Sequence, residues 1–355
     1  MTDDKELSAN EIALYDRQIR LWGLEAQTKL RNSKILVINL SSINVEVVKN
    51  LMLGGVGSLT IIDSTEVLQQ DLNVNFFIDA AMVGQSKVNE VCMARIQELN
   101  PRVELKYSAE EWSTKESSWF KDFEIVVVSG LNKEETRKLN IITRENGVRL
   151  YTSGSHGLYG YLFVDLIQHD SQIKSKREGI AKKVGAINSV SQIVQVDGIV
   201  ENDERVEVVT IRNNYRSFDE ICKDGSVSAD KFKEFFKSEK KLKKLVSPAL
   251  PVIFGLLDFD SQHGKDLENI HIEADSLKEK ALEACAHFQI SQEIVKPEVV
   301  DELARQAYTE FQPVSAVIGG AIAQDVINML GRREHPMNNF VVFEALASKM
   351  PVYVL

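Results

Sequence analysis

Between residues 34 and 155 the chain alternates short apolar runs with longer stretches in which apolar residues recur every three or four positions. KILVINL (34–40) is apolar nearly throughout, as a strand covered on both faces must be. VEVVKNLMLGG (45–55) sets Val45, Val48 and Met52 on one helical face and then stops at glycine. SLTIIDS (58–64) is the next strand, so strand, helix and strand fall within about 30 residues and predict a βαβ unit with a right-handed crossover. The rhythm continues with a helix at SKVNEVCMARIQELN (86–100), strands at VELKY (103–107) and FEIVVVSG (123–130), a helix over 133–146 and a strand at VRLYTSGS (148–155). Four or more parallel strands in a doubly wound, Rossmann-like α/β sheet is the predicted fold.

Either side of this block the pattern changes. Upstream, IALYDRQIRLWGLEAQTKLR (12–31) places Ile12, Tyr15, Ile19 and Trp22 on one face of an amphipathic lead-in helix, with Gly23 a predicted break. After GLYGYLFVDL (157–166), residues 206–211 alternate as antiparallel strands do, and KFKEFFKSEKKLKKLV (231–246) reads as a lysine-rich amphipathic helix. Its lysines suit a solvated helix face better than a nuclear-import or acidic-partner patch. The stretch 168–300 is therefore expected to be a mostly separate, partly helical insertion. SAVIGGAIAQDVINML (315–330) is apolar nearly all round and must be buried by core or by a partner. NNFVVFEALASKMPVYVL (338–355) reads strand, turn, strand and is expected to rejoin the first sheet. The expected division is 1–167 and 301–355 as two parts of one domain, with 168–300 inserted between them.

Composition narrows the function only a little. The 355 residues are 44% hydrophobic and 26% charged, ordinary for a globular protein, and no fully apolar run of about 18 residues suggests a membrane span. The acidic, polar start is unlike a signal or transit peptide, which predicts a nuclear or cytosolic protein. A formal charge of −10 argues against general nucleic-acid binding. Cys92, Cys222 and Cys285 are widely spaced and support neither a disulfide framework nor a zinc site. KDGS follows Cys222 with no nearby histidine and no helix-start signal, so none of the three reads as a catalytic thiol. His156 reads as a turn histidine, with no carboxylate or nucleophile evident beside it.

The candidate chemistry lies in VINLSSINVEVVKN (37–50), a strand and helix flanking the place of a phosphate loop. Such a loop needs glycines, because its backbone must turn tightly and bring N–H groups to an anion at the helix amino end. Here the positions are Asn39, Ser41 and Asn44, whose side chains would occupy the space of a pyrophosphate. Ser41 and Asn44 could instead bind phosphate through their side chains, or the segment is an ordinary turn with Asn44 as the helix cap. Asp63 ends the second strand about 20 residues on, where dinucleotide folds keep a ribose-binding acid, although turn residues occupy such positions as well.

YDRQIRLWG (15–23), the βαβ unit ending in Asp63, DLNVNFFI (71–78), VGQSKVNEV (83–91), SGSHGLYGYLF (153–163) and PVSAVIGGAIAQDVINML (313–330) follow one another along nearly the whole chain. In this they resemble the enzymes that activate ubiquitin-like modifiers, and most closely the smaller, non-thioester subunits of heterodimeric SUMO-activating enzymes. The likeness is weakest over 168–300. In that family two related adenylation-type domains pair, and only the larger subunit has a complete ATP site and the thioester cysteine. The resemblance puts glycines of the active half at Asn39, Ser41 and Asn44, an arginine at Val74 and a magnesium-binding aspartate at Asn132. It matches Asp63 and Lys87 to the ribose-binding acid and the phosphate-binding lysine.

The resemblance thus implies that this chain alone binds no cofactor, and that ATP and magnesium sit in the partner's site. It assigns Arg17 to the partner's ATP phosphates, in trans, with Arg20 a lesser candidate for the same phosphates. A guanidinium suits that role, since its fixed paired donors and permanent charge match a triphosphate. Implied partners are the larger thioester-forming subunit and SUMO, with neither nucleic acid nor membrane, and the implied location is the nucleus, with the cytoplasm also open. Three rival readings are a subunit for another ubiquitin-like modifier, a stand-alone nucleotide-dependent enzyme, and an interaction module without chemistry.

Overall fold

The computed structural model describes residues 6–176, 182–201, 204–263 and 272–355. Its centre is a sheet whose first five strands are parallel: β1 (Lys34–Ile38), β2 (Ser58–Ile62), β3 (Glu104–Ser108), β4 (Ile125–Ser129) and β5 (Arg149–His156). β6 (Tyr159–Asp165) turns back antiparallel to β5. A second, four-stranded antiparallel sheet follows, made of β7 (Gln168–Lys176), β8 (Gly185–Ala186), β9 (Ser191–Glu201) and β10 (Glu204–Asn214). The tail does rejoin the first sheet, where β11 (Phe340–Glu344) pairs with β6, and β12 (Val352–Tyr353) pairs with β11. The order across the main sheet is β12-β11-β6-β5-β4-β1-β2-β3. The order therefore reverses between β1 and β4, and in a doubly wound sheet the crevice beyond the strand ends at that reversal is where ligands bind.

The helices in chain order are α1 (Ala9–Leu14), α2 (Asp16–Trp22), α3 (Leu24–Asn32), α4 (Ser42–Gly54), α5 (Glu90–Leu99), α6 (Lys133–Glu145), α7 (Phe218–Lys223), α8 (Gly225–Phe236), α9 (Glu239–Leu245), α10 (Ala249–His263), α11 (Ala274–His287), α12 (Pro297–Gln306) and α13 (Gln312–Gly331). Ile35 and Val37 of β1 join a core with α4, α5 and α13, while Leu36 and Ile38 join one with α6. Burial on both faces is why the strand is apolar throughout. By length and composition α13 could cross a bilayer, but here it is a core helix packed on α4, α3 and β6. Core burial thus accounts for its apolar sequence.

Three elements differ from expectation. The lead-in breaks at Gly23 as expected, where φ is 89°, a left-handed-side value that favours glycine, but it also breaks at Tyr15, which turns inward at the α1–α2 junction and makes the lead-in three short helices. Of the four residues expected on its buried face, only Tyr15 is buried, and Ile12 is exposed. The lysine-rich helix breaks after Phe236, where Lys237 adopts φ 57° and Ser238 caps the next helix through the Lys241 amide. The helical part of 168–300 does not stand apart. Phe218, Phe232, Leu250, Phe254 and Phe288 share one core with Tyr161, Phe163, Phe340 and Tyr353 of the main sheet.

Candidate functional site

A cavity of about 650 Å³ opens at the reversal point, lined by the loops after β1 and β4, the end of β5, the 68–74 segment with Lys87, and residues 307–310. Asn39 holds φ 65°, the left-handed turn that a glycine would adopt most easily. Asparagine tolerates it when its side chain finds a local partner, and Asn39 Nδ2 donates to the Ser129 carbonyl at 2.8 Å. Ser41 is the residue that caps α4, accepting from the Asn44 amide at 3.3 Å and bonding the Ser129 hydroxyl. Asn44 is therefore not the helix cap. It is fully buried in the first turn, where Nδ2 donates to the Ile38 and Asn39 carbonyls at 2.8 and 2.7 Å. The loop's own side chains hold it in its turn.

The remaining positions are likewise engaged within the protein. Asp63 accepts from the Leu40 amide at 2.6 Å and, through its other oxygen, from the Thr65 amide and hydroxyl at 2.8 and 2.6 Å. Both oxygens thus brace the β1–α4 and β2 loops and leave little for a ribose. Lys87 lies before α5 rather than in it, and it is largely buried in an ion pair with Asp71 at 3.2 Å. Val74 is buried beside the cavity. Asn132 caps α6 in a reciprocal box with Glu135. Neither can supply a cation or a metal carboxylate.

Glu310 is the residue that sequence reasoning missed. Its carboxylate accepts from the Ser42 amide at 3.1 Å, at the amino end of α4, and burial raises its pKa above the usual carboxylate value. A helix amino end is where a nucleotide phosphate would sit. With Glu310 already there, Asp71 nearby and neither arginine nor metal carboxylate, the residues present do not fit a magnesium triphosphate. No local motif marks Glu310, since it lies 268 residues from Ser42.

His156 is buried at the cavity wall. Nδ1 accepts from the Tyr308 amide at 3.1 Å, so the ring proton is on Nε2, which has no partner, and burial lowers its pKa to about 4. Burial pushes the Cys92 and Cys222 thiols up to about 12 and Cys285 to about 11, so none offers a thiolate near neutrality. Among the described residues, no group of three or more His, Cys, Asp or Glu is arranged to hold a metal.

The lead-in helices lie at the other end of α4. Tyr15 is buried there, its hydroxyl accepting from Asn100 Nδ2 at 2.8 Å, and its ring sits so close to Gly55 that a Cβ would fall 2.5 Å away. Gln18 and Gln27 donate to the Leu53 and Gly54 carbonyls at 3.3 and 2.9 Å. The anchor and Ser42 lie at opposite ends of this 13-residue helix, roughly 18 Å apart at 1.5 Å per residue. Arg17, two residues after Tyr15, is exposed, and its side chain makes no hydrogen bond or ion pair among the described residues. Arg20 is tied to Asp16 at 3.0 Å. Leu14, Leu21 and Leu24 are exposed beside them, Leu21 to 76%.

A model described as the ThiF family matches residues 15–353. The chain is 38% identical to "DNA damage tolerance protein RHC31" of Saccharomyces cerevisiae over 98% of both chains. It is 31% identical to "SUMO-activating enzyme subunit 1" of Homo sapiens, covering 96% of this chain and 94% of that one. It is 29% identical to "DNA damage tolerance protein rad31" of Schizosaccharomyces pombe over 98% of both. With a family match across almost the whole chain and a sheet, cavity and loop of the matching kind, the protein belongs to the ThiF family.

Proposed function

We propose that this chain is the non-thioester half of a heterodimeric SUMO-activating enzyme and that it acts on ATP bound by its larger partner. One observation carries the reading. Arg17, whose side chain has no partner among the described residues, is anchored about a helix length away from the chain's own cavity, where Glu310 takes the amide at the amino end of α4. An arginine so placed cannot serve its own cavity and stands ready for another chain's site. The exposed leucines around it suit burial against that chain. The names of full-length relatives support SUMO as the modifier.

In this reading the partner holds ATP and magnesium. The terminal carboxylate of SUMO attacks the α-phosphorus, the bond to the pyrophosphate oxygen breaks, and an acyl-adenylate forms. The partner's cysteine thiolate then attacks the acyl carbon and AMP leaves. Arg17 pairs with the β- and γ-phosphates and stabilises the charge that builds on the departing pyrophosphate. Arg20, held by Asp16, contributes less.

SUMO-dependent ATP–pyrophosphate exchange tests the proposal, run with this chain alone and with its larger partner added. Exchange by the pair and none by the chain alone is expected. Exchange by the chain alone would show a working nucleotide site here and overturn the reading.

A further inference from the structure

The segment that carries Arg17 has little packing to hold it. No residue of α2 is buried, and Ile19 and Trp22 are only partly so. A helix of seven residues does not persist by itself in water. The place of Arg17 must therefore be set by contacts on either side of it.

Those contacts are made at the carboxyl end of α4, where the last carbonyls of a helix lack the usual partners within it. Three consecutive carbonyls, of Met52, Leu53 and Gly54, accept from the side-chain amides of Asn100 at 2.9 Å, Gln18 at 3.3 Å and Gln27 at 2.9 Å. Asn100 is buried at the carboxyl end of α5, and its Oδ1 accepts from the Arg102 amide at 3.2 Å. Its Nδ2 serves both Met52 and the Tyr15 hydroxyl, the latter at 2.8 Å. Gln27 in turn accepts from Trp22 Nε1 at 2.9 Å, which ties down the far end of α2. Arg17 thus stands between two tethered residues, Tyr15 before it and Gln18 after it.

We propose that Asn100 and Gln18 are positioning residues for Arg17, Asn100 through the Tyr15 hydroxyl and Gln18 as the next residue in the chain. Their amide donors are spent on the chain itself, so they act by fixing where α2 begins and how it is turned, and the exposed guanidinium follows. A charged group displaced by about 1 Å can lose much of its effect on a reacting centre. The inference rests on the reading of Arg17 given under the proposed function.

The test is SUMO-dependent ATP–pyrophosphate exchange by the assembled pair, with Asn100→Ala, Tyr15→Phe and Gln18→Ala made singly and each combined with Arg17→Ala. Thermal melts of the chain and gel filtration of the pair check that each variant folds and assembles. Each single variant is expected to lower kcat about three- to tenfold while the KM for SUMO stays unchanged. In the Arg17→Ala background the same substitutions should change the rate less than about twofold, because the group they position is gone. Losses of equal size in both backgrounds would mark a general structural role and overturn the inference, as would single variants that exchange at the wild-type rate. If Asn100→Ala does not fold, Tyr15→Phe and Gln18→Ala decide by the same criteria. A normal rate with Arg17→Ala would sink the reading of Arg17 itself, whereas a loss there beside silent Tyr15→Phe and Gln18→Ala would sink the positioning alone.

Discussion

At the scale of single residues, side chains rather than glycines hold the loop between β1 and α4. Asn39 accepts a positive φ at a cost of order 1 kcal/mol, and its bond to Ser129 offsets much of that. Asp63 and Lys87 each have internal partners and brace the loops around the cavity. His156 makes the same point in its titration. Burial holds its pKa near 4, against about 6.5 in an unfolded chain. A depressed folded value means that the stability due to the neutral ring is complete above about pH 6.5 and is lost as pH falls from there toward 4. His156→Asn keeps an acceptor for the Tyr308 amide and cannot be charged. Denaturant unfolding at pH 7 and pH 5 should show wild type losing on the order of 2 kcal/mol more than the variant between the two. Equal losses would mean that the ring is not neutral in the fold.

At the scale of elements, α4 and α13 decide how the site is built. Gly319 lets the two helices touch, since a Cβ there would lie 2.6 Å from Glu46 Cβ and 2.7 Å from the Ile43 carbonyl. A backbone carbonyl cannot give way as a flexible side chain can. Gly319→Ala should cost about 2 kcal/mol. Gly320→Ala meets nothing within 4 Å and should be neutral or stabilising by up to about 1 kcal/mol. Denaturant melts of the two variants check the contrast, and equal effects would contradict the packing described. Periodicity made the strands, α4, α6 and α13 legible, because one buried face or full burial leaves a regular trace in sequence. It missed the breaks at Tyr15 and Lys237, which depend on a contact with Asn100 and on a local serine cap. It also read the helical part of 168–300 as separate, since its charged surface hides Phe232, Leu250 and Phe288 facing the sheet. Glu310 could not be read at all. Only the fold brings it from beside α13 to the start of α4.

At the scale of the whole molecule, the two ends of α4 divide the labour. At one end Glu310 binds the first amide of the helix, and at the other Arg17, without a side-chain partner among the described residues, stands on a tethered, partly apolar lead-in. In the proposed pair, the partner would cover the exposed leucines and give the Arg17 guanidinium an anionic partner. The most direct measurement is SUMO-dependent ATP–pyrophosphate exchange by the chain and its larger partner, comparing wild type with Arg17→Ala, Arg17→Lys and Arg20→Ala. The account predicts that Arg17→Ala lowers kcat/KM at least about tenfold, a loss of roughly 1.4 kcal/mol or more of transition-state stabilisation. Arg17→Lys should recover part of it, and Arg20→Ala should change it little. An Arg17→Ala pair that assembles normally and exchanges at the wild-type rate would contradict the account.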